Sequence, residues 1–202
     1  MERQEIINQV KIKAAEISPF EDNEAIESPV IDALLDAGVK EILLMAPIHL
    51  LTATDFYTDS NPNTTDNGDN TGSIVLPDDF LRLVSFKMSC WLRPVNRAIS
   101  ESDSKYKLQF NAYTRGGIAK PVVAIRNDGS QKILEYFSVV NNNHDVDTAL
   151  CINAVTAQNL QEDMVEPLTW LMVSKVFYVD EKYDAANEAM KRVNEYFANK
   201  II

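Results

Sequence analysis

Hydrophobic positions recur along this chain with two different periods, and the changes from one to the other divide it. Over 162–199 the period is helical and predicts a hairpin of two helices. Asp163 is placed to cap the first, and Pro167 falls in its opening turn, where backbone N–H groups lack intrahelical partners. That helix carries Val165, Leu168, Met172, Val176 and Val179 on one side and Trp170, Val173 and Phe177 on another, so it needs cover from more than one direction. The second stripe is expected to pack against the β region. The second helix has one narrow stripe, Tyr183, Ala186, Met190, Val193 and Phe197, opposite a charged face.

Helical spacing also governs the start. Ile7, Val10, Ala14 and Ile17 predict a short amphipathic helix that Ser18 and Pro19 end. A second begins with Ser28 as N-cap and Pro29 at the first helical position, and it presents Ile31, Leu35, Ile42 and Met45 on one face. Gly38 shares that face, where it is expected to admit a neighbouring backbone. Residues 58–72 are almost wholly polar and read as a mobile loop. Asp59, Asn61 and Asn63 imitate a calcium loop, but Thr64 and Asn70 stand where its glycine and glutamate belong.

From 73 the period becomes two. Val84, Phe86, Met88 and Cys90 are expected on one strand face with Leu83, Ser85 and Lys87 on the other, and 91–95 continues the sheet. A short helix capped by Ser102 or Asp103 should bury Tyr106, Phe110 and Tyr113. Strands at 121–126 and 133–139 flank Asp128-Gly129, a hairpin signal, and a last strand spans 148–155. The fold class is therefore α+β: a helical core, N-terminal helices plus C-terminal hairpin, interrupted by a small antiparallel β subdomain. The divisions are 1–57, N-terminal helices; 58–72, the loop; 73–158, the β subdomain with one short helix; and 159–202, the hairpin, forming one compact unit with 1–57.

Charge and chemistry narrow the function. Thirty acidic residues against 19 basic ones disfavour wrapping nucleic acid, yet allow DNA to slide past. Cys90 and Cys151 lack CxxC spacing and read as buried thiols. His49 and His144 have no partner at metal-ligand spacing; His144, beside Asp145 and Asp147, reads as an exposed loop histidine. Asp78 and Asp79 are turn residues. No GxSxG elbow and no phosphate loop occur, so the sequence predicts no catalytic, cofactor-binding or metal-ligating residue and no enzyme. No apolar signal region is read at the start, no run has membrane-span length, and the chain is expected to fold in the cytoplasm.

Four stretches carry a family likeness: LPDDFLRL at 76–83, KPVVAI at 120–125, LEYF at 134–137 and the hairpin from Met164 to Phe197. In these the chain resembles the head-to-tail connectors, or portal adaptors, of tailed bacteriophages, the crAss-like phage type in particular. The resemblance implies a virion protein at the neck: one subunit of a ring, usually dodecameric, that sits beneath the portal protein, meets further tail or ring proteins, and passes DNA without sequence-specific binding. It implies no cofactor and no membrane partner. Trp170, Val173, Phe177, Ile201 and Ile202 are the candidate oligomer or partner interface. The alternative is a soluble binding or regulatory module outside any particle.

Overall fold

The structure, a computed structural model, describes residues 2–18, 28–57, 64–141 and 143–200. It separates into a helical unit, residues 1–52 with 154–202, and a β unit, residues 53–153. The chain thus enters the helical unit, leaves it for the whole β unit, and returns.

Among the described residues four α-helices build the helical unit: α1 (Arg3–Ile17), α2 (Ser28–Met45), α3 (Glu162–Val179) and α4 (Tyr183–Ala198). All the others touch α3, which explains why its pattern is apolar on several sides. Met164, Leu168, Leu171, Met172, Val173 and Phe177 are fully buried along it. Gly38 of α2 faces α3, but what it admits is a side chain: a Cβ there would stand 2.5 Å from Met172 Sδ. The expected backbone approach is corrected to a thioether seated on the glycine. Ion pairs tie the helices at their margins, Arg3 to Asp32 and Asp36, Lys13 to Glu166 and Lys175 to Glu41.

The entry to α3 also differs from expectation. Gln161, in extended conformation, precedes the first helical residue, and Asp163 lies inside the helix. Pro167 is therefore past the first turn, where it removes the N–H that the Asp163 carbonyl would accept. Tyr196 of α4 supplies the missing donor, its hydroxyl reaching Asp163 O at 2.8 Å. Tyr196→Phe is expected to cost about 1 kcal/mol, the worth of one such bond. In a Pro167→Ala background, with the N–H restored, the same substitution should cost measurably less. Equal losses in a double-mutant cycle of denaturant midpoints would refute this division of labour.

Among its described residues the β unit has eight strands. A three-stranded antiparallel sheet runs β1 (Thr54–Asp55), β8 (Val146–Asn153), β4 (Phe80–Met88). A five-stranded sheet runs β2 (Thr64–Gly68), β3 (Thr71–Val75), β7 (Gln131–Phe137), β6 (Val123–Asp128), β5 (Ile99–Ser100), with β5 parallel to β6 and the other pairs antiparallel. Asp128 pairs with Gln131, so the predicted hairpin forms. Both sheets contribute to one core, where Phe86 meets Phe56, Trp91 and Tyr136 at ring centroids 5.7 to 6.3 Å apart.

Several strand-level expectations change. Leu83 and Phe86 are both buried although simple alternation puts them on opposite faces; the register against β8 shifts between Leu83 and Ser85, and such an irregularity turns side chains out of phase. Residues 91–95 form only a bridge, Val95 to Phe86. Of the polar segment 58–72, residues 58–63 lie outside the described ones, and 64–72 belongs to the β2–β3 hairpin rather than to a loop. Asp69 and Asn70, at φ 52° and 57°, make its two-residue turn, a conformation Asn and Asp tolerate best after glycine. β2 is an edge strand whose side chains are mostly exposed, so no buried alternation marks it.

Candidate functional site

The apolar stripe singled out on α3 is not a surface. Trp170, Val173 and Phe177 are buried, Trp170 with 6% of its area exposed, which withdraws them as partner contacts. Within the helical unit two cations reach the Trp170 ring: Lys13 Nζ of α1 lies 4.4 Å from its ring centroid and Arg192 Cζ of α4 lies 4.9 Å away. Two cations on one indole are stabilised by its electron-rich faces, and their stems fill the space around it. Burial lowers the Lys13 pKa, opposed by the Glu166 carboxylate. Ile201 and Ile202 lie outside the described residues. Lys200, just before them, is held on its own subunit, since its carbonyl accepts from His49 Nε2 at 3.0 Å.

Two partly buried polar networks organise the five-stranded sheet. On its inner face the fully buried Tyr136 hydroxyl lies 2.7 Å from His144 Nδ1, and His144 Nε2 lies 3.4 Å from Asp66 Oδ1. Burial, then the Asp66 charge, pushes the Tyr136 pKa well up, so its hydroxyl stays protonated beside Nδ1. Nε2, on the other side of the ring, faces the Asp66 carboxylate without a hydrogen bond to it. The side chain of His144 is 19% exposed, so the exposed-loop reading is overturned. Tyrosine, histidine and aspartate in a row could relay a proton. Here they join β7, the loop before β8 and the edge strand β2. Gly72 makes room for them, because a Cβ there would lie 2.3 Å from Tyr136 Oη.

On the outer face Glu135, 7% exposed, accepts from Tyr106 Oη and from Arg126 Nε, each at 2.7 Å. Burial and then this carboxylate raise the Tyr106 pKa. Tyr106 belongs to a turn-rich segment that lies over the sheet. The helix predicted there reduces to a short 3-10 turn, Lys107–Phe110, and only part of its aromatic face is buried. Phe110 packs edge-on to Phe137 yet stays 62% exposed, and Tyr113 is 99% exposed. The segment is pinned by polar bonds instead. Buried Gln109 accepts from Gly116 N and donates to Lys105 O, Thr114 Oγ1 donates to Leu108 O, and Arg115 donates to Asp69 O. A 190 Å³ depression beside it, lined by Asp69, Phe110, Arg115 and Glu135 among others, is too small for most ligands.

A second exposed apolar group lies at the α3–α4 turn, where Tyr178 and Tyr183 stack edge to face beside Val179. Asp180, Glu181 and Asp184 surround them. Lys182 points inward, its Nζ 5.9 Å from the Phe177 ring centroid.

Among the described residues no group of three or more His, Cys, Asp or Glu side chains could hold a metal ion. Asp78 and Asp79 are exposed in the turn that Phe80 N closes on Pro77 O. Cys151 is buried, and burial pushes its thiol from 9.0 up to about 11, whereas Cys90 is only partly buried. Burial also raises Tyr196, so Tyr106, Tyr136, Tyr196 and Cys151 all favour the neutral form when folded. Raised folded pKa values give stability that is complete below the unfolded values and lost as pH rises through the folded ones. Thermal melts should therefore be flat up to about pH 9 and fall steeply towards pH 11 and beyond. A melting temperature unchanged across that window would contradict the burial of these groups.

No helix among the described residues is long and apolar enough to cross a membrane. No protein-family model matches the chain, and no curated protein matches its sequence.

Proposed function

We propose that this chain is a structural virion protein, a head-to-tail connector subunit that forms a ring beneath the portal, continues the DNA channel and links capsid to tail. The observation that carries the reading is where the polar chemistry goes. The two partly buried networks, Tyr136–His144–Asp66 and Tyr106–Glu135–Arg126, hold strands and loops together, while aromatic and aliphatic side chains are left to solvent on pinned turns. That is the economy of a scaffold that docks on other proteins. The stretches that carry the family resemblance fall on framework elements: the turn into β4, β6, β7 and the α3–α4 hairpin. A net charge of −11 suits a conduit that does not grip phosphates.

Purified particles provide the test. Quantitative mass spectrometry should find the chain at a fixed ratio to the portal protein, and a particle reconstruction should place it as a ring at the neck. Absence from particles would leave the other reading, a soluble binding or regulatory module.

A further inference from the structure

The charge of this chain is unevenly distributed. Between residues 91 and 120 stand six basic residues, Arg93, Arg97, Lys105, Lys107, Arg115 and Lys120, against Glu101 and Asp103. That segment is net +4 in a chain of net −11, so the remainder carries −11 less +4, or −15. Lys105, Lys107 and Lys120 are exposed, and among the described residues none of them makes an ion pair. They border Leu108, Phe110 and Tyr113, which are exposed as well. Leu92 and Ile118, joined by a backbone bond of 3.1 Å, extend the apolar surface. The whole is rigid for a loop, because Gln109, Thr114 and Arg115 fasten it from within. Exposed aromatics on a pinned support lose little conformational freedom on binding.

The α3–α4 turn has the opposite character. There Tyr178, Val179 and Tyr183 are exposed among Asp180, Glu181 and Asp184, with Lys182 turned in over Phe177. One surface is aromatic and basic, the other aromatic and acidic, and one chain carries both.

We propose that the basic aromatic loop at 105–120 of one copy docks on the acidic aromatic α3–α4 turn of a second copy of this chain. Two different surfaces meet, so the contact is heterologous and propagates from copy to copy, as a ring requires. Aliphatic Leu92, Leu108 and Ile118 favour a protein over a nucleic acid, since they make no bond to phosphates and stack poorly on bases, whereas tyrosines and leucines against an apolar turn bury area. The flanking charges orient the encounter and speed it. The contact deepens the ring reading and rests on it only for closure.

A charge exchange tests it with the full chain. One variant carries Lys105→Glu, Lys107→Glu and Lys120→Glu; another carries Asp180→Lys, Glu181→Lys and Asp184→Lys. In sedimentation velocity at about 0.05 M salt, where screening is weak, the unaltered chain should self-associate at high concentration and less so at high salt. Each variant alone should associate at least about tenfold more weakly, because like charges then face each other. An equimolar mixture of the two should recover association, since each supplies the surface the other now fits. Circular dichroism and melts of each variant establish that both are folded, and single reversals, Lys107→Glu and Asp184→Lys, replace any triple that is not. An unaltered chain that stays monomeric, folded variants that associate as before, or a mixture that fails to recover would each overturn the proposal. So would loss of binding to a single-stranded oligonucleotide in the loop variant without any change in self-association, which assigns the loop to nucleic acid. Absence from particles removes the connector reading but not this contact, so the two failures are distinguishable.

Discussion

Trp170→Ala is expected to destabilise the helical unit by about 3–5 kcal/mol, the range for large aromatic truncations in packed cores. The indole is almost wholly buried and both Lys13 and Arg192 lie against its ring, so its removal opens a cavity and strands two cations. The chain has two tryptophans, Trp91 in the β unit and Trp170 in the helical unit, which makes the loss easy to localise. In the variant, fluorescence reports Trp91 alone while far-ultraviolet dichroism follows the helices. The helical transition should move to lower denaturant with the Trp91 transition displaced less. A shift worth less than about 1 kcal/mol, the scale of an ordinary surface change, would mean that Trp170 is not core.

Gly72→Val should have a comparable effect in the other unit. The new Cβ would stand 2.3 Å from Tyr136 Oη, 2.4 Å from its Cζ and 2.9 Å from the Thr65 carbonyl oxygen, and the last is backbone in the paired strand. Neither neighbour can withdraw cheaply: Tyr136 is fully buried and bonded to His144, and Thr65 pairs with Ser73. A loss of about 3 kcal/mol, the upper end of overpacking costs, is expected, read from Trp91 emission in a Trp170→Phe background. Gly117→Ala is the control, because a Cβ there meets nothing within 4 Å and the change should be nearly neutral. A Gly72 variant as stable as that control would refute the packing of Tyr136 against β3.

The contrast between these two residues marks what a sequence can disclose. Trp170 sits in a helix whose apolar spacing identifies the element and its burial, although spacing cannot say which neighbours provide the cover. Gly72 lies in a hairpin that polar composition conceals. An edge strand facing water is held by backbone pairing, which leaves no trace in side-chain pattern, and the only local signal is the run of Asn, Gly and Asp at 67–70. The β6–β7 hairpin was legible because its turn residues stand between two apolar strands. The segment 106–113 has helical aromatic spacing but no apolar partner for Tyr113, so it remains turns over a sheet. Least legible of all was the His144 network, whose members Asp66, Tyr136 and His144 meet only after two strands and a loop have been placed.

The return of the chain to its helical unit sets a schedule for its birth on the ribosome. α1 and α2 emerge first, with Ile31, Leu35, Val39 and Ile42 awaiting burial, but α3, which both helices touch, begins at Glu162. Between Met45 and Glu162 stand 116 residues, which at usual elongation rates is roughly 6–23 s of exposed apolar surface. All the strand pairings described for the β unit lie within residues 53–153, so they can form as soon as Asn153 has emerged. Nascent chains halted after Asn153 should therefore yield a protease-resistant β unit, while α1 and α2 remain cleavable and are the segment a chaperone has most reason to hold.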